Sequence, residues 1–189
     1  VIHPVDRSRW DDVTALFGPS GIARGCWCME RRISYAESRA NGNAGNRAAL
    51  AALADEGEPV GVIGYLEDVP VAWCAIAPRP AYRVVRSRTL PIDDPEDPSI
   101  WALTCLYVKT GHRKQGLTSP MIDGAVEHAQ ASGARIVEAY PVAVMPGDVS
   151  SGKLEVFLEA GFEVYEKERT TSKRNVVVRR VLRDDEQSA

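Results

Sequence analysis

The stretch His112-Arg113-Lys114-Gln115-Gly116-Leu117-Thr118 decides how the rest of the chain is read. It stands between a β-like run, IWALTCLYVK (100–109), and a helix-like run, SPMIDGAVEHAQ (119–130). A strand that feeds a short basic turn and then a helix presents the unpaired N–H groups of the first helical turn. The positive end of the helix dipole adds to them. Arg113 and Lys114 contribute full charges, and Gly116 lets a backbone come close to a ligand. The local chemistry suits a bound phosphate, and suits equally a basic turn that only caps a helix. The flanking sequence has to choose.

Upstream, Trp10, Val13, Leu16 and Phe17 fall at helical spacing, with Asp6 or Ser8 as N-cap and Gly18 as stop. GPSGIARGCWCMERR (18–32) is irregular and brings aromatic, thiol and basic groups together. A short helix is expected over 34–39, a loose NGNAGN over 41–46, and a helix capped by Asn46 and ended by Gly57. VGVIGYL (60–66) and VPVAWCAIA (69–77), joined by Glu67-Asp68, predict a β-hairpin. Residues 78–99 carry five prolines, Arg79, Arg83, Arg86 and Arg88, then DDPED, which reads as a long functional loop.

Downstream, Ile122, Ala125, Val126 and Ala129 form a helical stripe ending at Gly133, and ARIVEAYPV (134–142) alternates like a strand. A loop over 142–152 precedes KLEVFLEAGF, a short helix built on Leu154, Phe157 and Leu158 and stopped by Gly161. FEVYEKE and NVVVRRVL predict a final antiparallel pair, and RDDEQSA a frayed tail. The 189 residues fit one domain with a core over about 6–182. The central strand–helix–strand passage with hairpins at both ends implies an α/β (α+β) fold. Its sheet is mixed and mostly antiparallel, of six to seven strands, with helices on both faces.

This order resembles the GNAT superfamily of acyl-CoA-dependent N-acyltransferases. Its pyrophosphate motif, Arg/Gln-x-x-Gly-x-Gly/Ala, reads here Arg113-Lys114-Gln115-Gly116-Leu117-Thr118, and VFLEAGF (156–162) looks like its closing helix-to-strand signature. The resemblance implies acetyl-CoA as co-substrate, with its pyrophosphate on the N–H groups of Arg113, Lys114, Gln115, Gly116, Leu117 and Thr118. The pantetheine arm would lie along Leu106, Tyr107 and Val108, where the family splays its fourth and fifth strands apart. The N–H near Tyr107 would face the thioester oxygen. The acceptor would be a small-molecule amine. Protein or peptide acetylation, and a regulatory acyl-CoA-binding domain with little turnover, are the alternatives. Many relatives are dimers, so a homodimer is possible.

Three positions depart from the pattern. Thr118 replaces a Gly or Ala, and Ser150 stands near where many members place an Asn that touches the cofactor. Phe157 stands where many carry a Tyr that protonates the departing thiolate, and Phe has no proton to give.

An alkyl ammonium with a pKa of about 10.4 must lose a proton before it attacks. Glu138 on the fifth strand is the expected base, on one face with Ile136 and Tyr140 and partly desolvated by its apolar neighbours. The alternative is a carboxylate that simply reaches solvent or an arginine. Tyr140 is the expected substitute acid, with Tyr107 behind it. Trp27 is read as one wall of the acceptor pocket or as plain core. Arg83, with the other arginines of its loop, is expected to hold an anionic group of the cofactor or the substrate.

The formal net charge of -3 and the lack of basic–aromatic alternation argue against a nucleic-acid partner. No apolar run approaches the ~18 residues of a membrane span, and no signal-peptide pattern opens the chain. Cys26, Cys28, Cys74 and Cys105 read as reduced thiols of a cytoplasmic protein. Cys26-x-Cys28 is too closely spaced for the usual zinc pair, so no metal is expected.

Overall fold

The computed structural model describes residues 1–22, 25–83, 94–142, 152–165 and 176–182. Seven strands form one sheet in the order β1-β2-β3-β4-β5-β7-β6. They are β1 (Ile2–Pro4), β2 (Val62–Leu66), β3 (Val69–Pro78), β4 (Ile100–Val108), β5 (Ile136–Ala139), β6 (Glu163–Val164) and β7 (Val178–Val181). Four α-helices pack on it: α1 (Trp10–Phe17), α2 (Tyr35–Asp55), α3 (Thr118–Ala131) and α4 (Leu154–Glu159). Every strand pair is antiparallel except β4 with β5, which α3 joins as a crossover helix. The mixed sheet expected from the sequence is the one observed.

β2 and β3 pair from Leu66↔Val69 outward, closed by Glu67 and Asp68, both at positive φ (47° and 64°). Two consecutive left-handed residues match the twist of the flanking strands, which makes Glu67-Asp68 a competent two-residue hairpin turn without glycine. β3 is buried along most of its length because helices cover both sheet faces. Cys74 and Ile76 face α3 in one core, whereas Trp73 and Ala75 face α1 and α2 in a second. Ala77, Tyr82, Ala102, Tyr140 and Val177 form a smaller third cluster, which Ala77 places on the α1–α2 side by strand alternation.

The chain after residue 33 follows the expected order of helix, break and helix. α2 is broken at Gly42 (φ 60°, ψ -166°), inside the expected loose stretch, but its second half does not begin at Asn46. Asn46 is not a cap but a buried residue inside α2, where its Nδ2 donates to the Gly25 and Ser38 carbonyls at 3.0 and 3.1 Å. The real cap is Ser34. Its hydroxyl accepts from the Glu37 N–H, and the Glu37 carboxylate accepts from the Ser34 N–H, a complete capping box. Ser34→Ala is expected to cost about 1 kcal/mol. In thermal unfolding that should lower Tm by roughly 3 °C.

Two details of β4 prepare the site. Ala75 pairs with Cys105 and Ile76 with Leu103, so Thr104 is an extra residue, a bulge at mid-strand. β5 accompanies β4 only from Ile100↔Ile136 to Leu103↔Ala139. Beyond that rung the two strands part, and the β4 edge from Thr104 to Val108 has no β5 partner.

Candidate active site

From the end of β4 the chain turns through residues 109–117 into α3. The Lys109 N–H donates to the Val71 carbonyl (2.8 Å), and the His112 N–H closes a turn on the Lys109 carbonyl (3.0 Å). Arg113 folds back so that its Nε donates to the Val108 carbonyl (3.1 Å), and Gln115 Nε2 donates to the Gly111 carbonyl (3.2 Å). Lys114 and Gly116 both take left-handed conformations (φ 59° and 75°). Leu117 is the N-cap of α3, and no side chain caps the helix. Among the described residues the N–H groups of Gly116, Leu117 and Thr118 meet no acceptor. A Cβ added at Gly116 would stand in open space. The turn is therefore a backbone cradle with an open front, at the positive end of a 14-residue helix.

The fork between β4 and β5 opens beside this cradle. Leu106, Tyr107 and Val108 are half-buried on its β4 edge. Leu106 and Val108 pack against the core under α3. Tyr107 faces the other side, its ring edge-on to Phe17 with centroids 6.3 Å apart. Phe157 is fully buried on the α3 side and packs edge-on against Phe162 at 5.3 Å. A Cβ at Gly152 would lie 2.6 Å from the Phe157 ring and 3.3 Å from Leu106, so the ring lies close to the fork's wall.

Below the fork, on the face opposite α3, Glu138 is completely buried. Its Oε1 accepts from Arg79 Nη1 at 3.0 Å and from Arg179 Nε at 2.7 Å, while Oε2 accepts from the Tyr140 hydroxyl at 2.8 Å. Arg79 Nη2 also donates to the Asp94 carbonyl, and the Arg179 guanidinium stacks on Tyr165 at 3.4 Å. Burial, and then the Glu138 charge, push the Tyr140 phenol well above its usual range. Next to the fork, the buried Thr104 and Tyr82 hydroxyls lie beside each other. Burial pushes the Tyr82 phenol up to about 12.

The sequence profile of the Acetyltransferase (GNAT) family matches residues 10–151. The chain belongs to this family. No curated protein sequence matches it. Solved GNAT structures of similar fold include ribosomal-protein-alanine N-acetyltransferase from Brucella melitensis, with TM-score 0.53 and 15% identity over 96% of this chain and 99% of that one. The PaiA N-acetyltransferase from Thermoplasma acidophilum, in complex with coenzyme A, gives TM-score 0.55 and 10% identity over 96% and 98%. Diaminobutyrate acetyltransferase EctA from Paenibacillus lautus, in complex with its substrate and coenzyme A, gives 0.52 and 17% over 98% and 96%. At these identities the likeness is one of fold.

Against the GNAT expectations the site residues divide. Residues 113–118 lie together in the turn into α3, and Leu106, Tyr107 and Val108 lie on the β4 edge of the fork. Glu138 and Tyr140 share a face, but Glu138 is fully buried and already accepts from two arginines and a tyrosine. It is the centre of an ion cluster beneath the surface, and the reading in which it reaches an arginine is the one the geometry favours. Tyr140 directs its proton at Glu138, which suits it poorly as an acid. Trp27 is packed in the core and also lines a cavity with Trp10, Thr14, Asn43 and Arg47. Its backbone is left-handed (φ 46°), its indole N–H donates to Asn43 at 2.6 Å, and its ring packs against Trp10 and Phe17. Arg83 is exposed and paired with Glu37 at 3.2 Å. Ser150, Arg86 and Arg88 lie outside the described residues.

The four cysteines are buried and free. The Cys28 sulfur accepts from Trp73 Nε1 at 3.3 Å. Its thiol is held well above the usual range, chiefly by contact with Cys105 and then by burial, and such protonated thiols are poor nucleophiles. Arg179 escaped notice in the sequence, and Arg79 was noticed only as one of the loop arginines, not as a partner of Glu138. Alternation in VVVRRV places one of two adjacent arginines on each sheet face, but choosing which meets Glu138 needs the β5–β7 register, Glu138↔Arg179.

Proposed function

We propose that this GNAT protein transfers an acetyl group from acetyl-CoA to a primary amine of a small molecule, by direct attack while both substrates are bound. The observation that supports this reading best is the uncapped α3 terminus with its open Gly116, set beside a strand edge left free by the fork. The pyrophosphate would rest on the N–H groups from Gly116 to Thr118, with Arg113 and Lys114 balancing its charge. Leu106, Tyr107 and Val108 would guide the pantetheine arm. Because the Tyr107 N–H faces Trp73 of β3, the N–H groups of Leu106 and Val108 are the ones on the fork side that would meet the carbonyl oxygen. Acetyl-CoA itself supplies the acyl group, activated as a thioester.

With Phe157 lacking a proton and Glu138 already occupied, proton handling falls to solvent. A thiol of pKa about 8.5 is a good enough leaving group near neutral pH to depart without an acid. The amine must enter neutral or lose its proton to water, so the rate should rise with pH towards the amine's own pKa.

The same two occupied positions favour one rival, an acyl-CoA-binding domain with little turnover. Calorimetric titration with acetyl-CoA, followed by thiol release with spermidine, L-lysine, kanamycin and an alanine-leading tripeptide, separates the readings. Binding in the range of about 1 μM to 1 mM with turnover of a small amine is expected. No binding would exclude both readings, and binding without any turnover would leave the sensor. Turnover of the tripeptide alone would move the acceptor class to peptides.

A further inference from the structure

We propose that Glu138 is a positioning residue of this transferase, which acts through Tyr140, Arg79 and Arg179 to brace the place where β5 leaves β4. The inference rests on the reading of the fork as the seat of the thioester. It assigns Glu138 a role different from the base that its place on the strand suggests.

The cluster stands one rung below the vertex. Ala102↔Glu138 and Leu103↔Ala139 are the last two paired positions, and Tyr140 is the first residue of β5's continuation. From there the chain is drawn towards other partners. The Val142 N–H donates to the Gly152 carbonyl (3.1 Å), and the Pro141 carbonyl accepts from the Val176 N–H (3.2 Å). The Thr104 bulge and the pairing of Val142 with Gly152 and Lys153 turn the continuation of β5 away from β4, and the side chains of the cluster brace Tyr140 at that point.

Glu138 gathers donors from three places in the sheet. Arg79 belongs to the turn that ends β3 (Arg79–Ala81), Arg179 to β7, and Tyr140 to the diverging strand itself. Arg79 extends the clasp to the Asp94 carbonyl, just before β4 begins. All three donors converge on a carboxylate of zero exposure, so the ties are shielded from water and hold firm. Tyr140 is pinned by its hydroxyl at the point where the strands separate. The thioester of a bound acetyl-CoA would thus meet a fork of fixed opening, whereas the pyrophosphate cradle lies away from the clasp, at the other end of β4's free edge.

That separation makes the role testable. Two variants are compared with wild type, Glu138→Gln and, because the first removes a buried charge, the milder Tyr140→Phe, which keeps the ring. With the amine that wild type turns over fastest, kcat is expected to fall about 10- to 100-fold in Glu138→Gln and less in Tyr140→Phe, the scale of a small misplacement of reacting groups. The affinity for CoA should stay within about twofold, because the cradle supplies the charge contacts. The pH–rate profile should keep its shape in both. Loss of the rising limb in Glu138→Gln would overturn the proposal in favour of a base, and an unchanged kcat would overturn it in favour of a bystander. If wild type binds CoA but acetylates no amine, the transferase reading fails by itself. Amide hydrogen exchange still tests the clasp, since Tyr140→Phe should speed exchange at 104–108 and 139–142 and leave α3 alone. Unaltered exchange there would overturn the clasp whatever the activity.

Discussion

Gly116→Asp is expected to abolish coenzyme A binding while leaving the fold intact. The added carboxylate would enter the open front of the cradle, where no protein atom lies within 4 Å of a Cβ. Two unit charges of like sign about 4 Å apart repel by about 4 kcal/mol at the effective dielectric of a protein surface. That corresponds to a loss of affinity well beyond 100-fold. A second, smaller cost comes from the left-handed backbone (φ 75°), which a residue with a Cβ adopts at roughly 1–2 kcal/mol. Gly116→Ala isolates that part. It should weaken binding far less than Asp, and its effect should not depend on salt. Calorimetric titration of wild type, Ala and Asp variants with CoA at two ionic strengths measures both contributions. Equal affinity in Asp and Ala variants would mean that no anion sits at this turn.

Glu138→Ala should cost about 3–5 kcal/mol of stability. Removing the carboxylate leaves the Arg79 and Arg179 guanidiniums, both in or near the protein interior, without the partner on which they converge. The Tyr140 hydroxyl loses its acceptor as well. Urea denaturation should show a midpoint shifted far to low denaturant at unchanged slope. A loss under about 1 kcal/mol would show that water reaches the cluster freely and that the charges were never strongly desolvated. Replacing the carboxylate and both guanidiniums together by apolar residues is expected to be much less costly than the single change, since no charge is then left buried alone.

Local chemistry carried much of the architecture into the sequence. The hairpin over β2 and β3 was legible because apolar runs flank a two-residue turn, and the α3 stripe because its apolar residues repeat every three to four positions. The cradle was legible because it is built from consecutive residues, so its spacing survives in one dimension. The cap of the second half of α2 was misassigned for a local reason too. Asn46 has the composition of a cap, yet it satisfies carbonyls from Gly25 and Ser38 that reach it only in the folded chain. The box Ser34-x-x-Glu37 was there to be read.

The ion cluster around Glu138 differs in kind. Glu138, Arg79 and Arg179 are separated by long stretches of chain, and strand alternation states only which face each can choose. Whether a buried carboxylate is a poised base or the centre of an ion cluster depends on which donors arrive across neighbouring strands. Trp27 follows the same logic, since the Asn43 acceptor that fixes its indole reaches it only in the folded chain. The sequence by itself thus determined the mixed sheet, the strand–cradle–helix junction and the absence of a proton at position 157, all properties of periodicity, contiguous spacing or residue type. Only the tertiary structure decided where β5 leaves β4, that Thr104 is a bulge, and what Glu138 touches. Those depend on register and on long-range pairing, which no contiguous stretch of residues encodes.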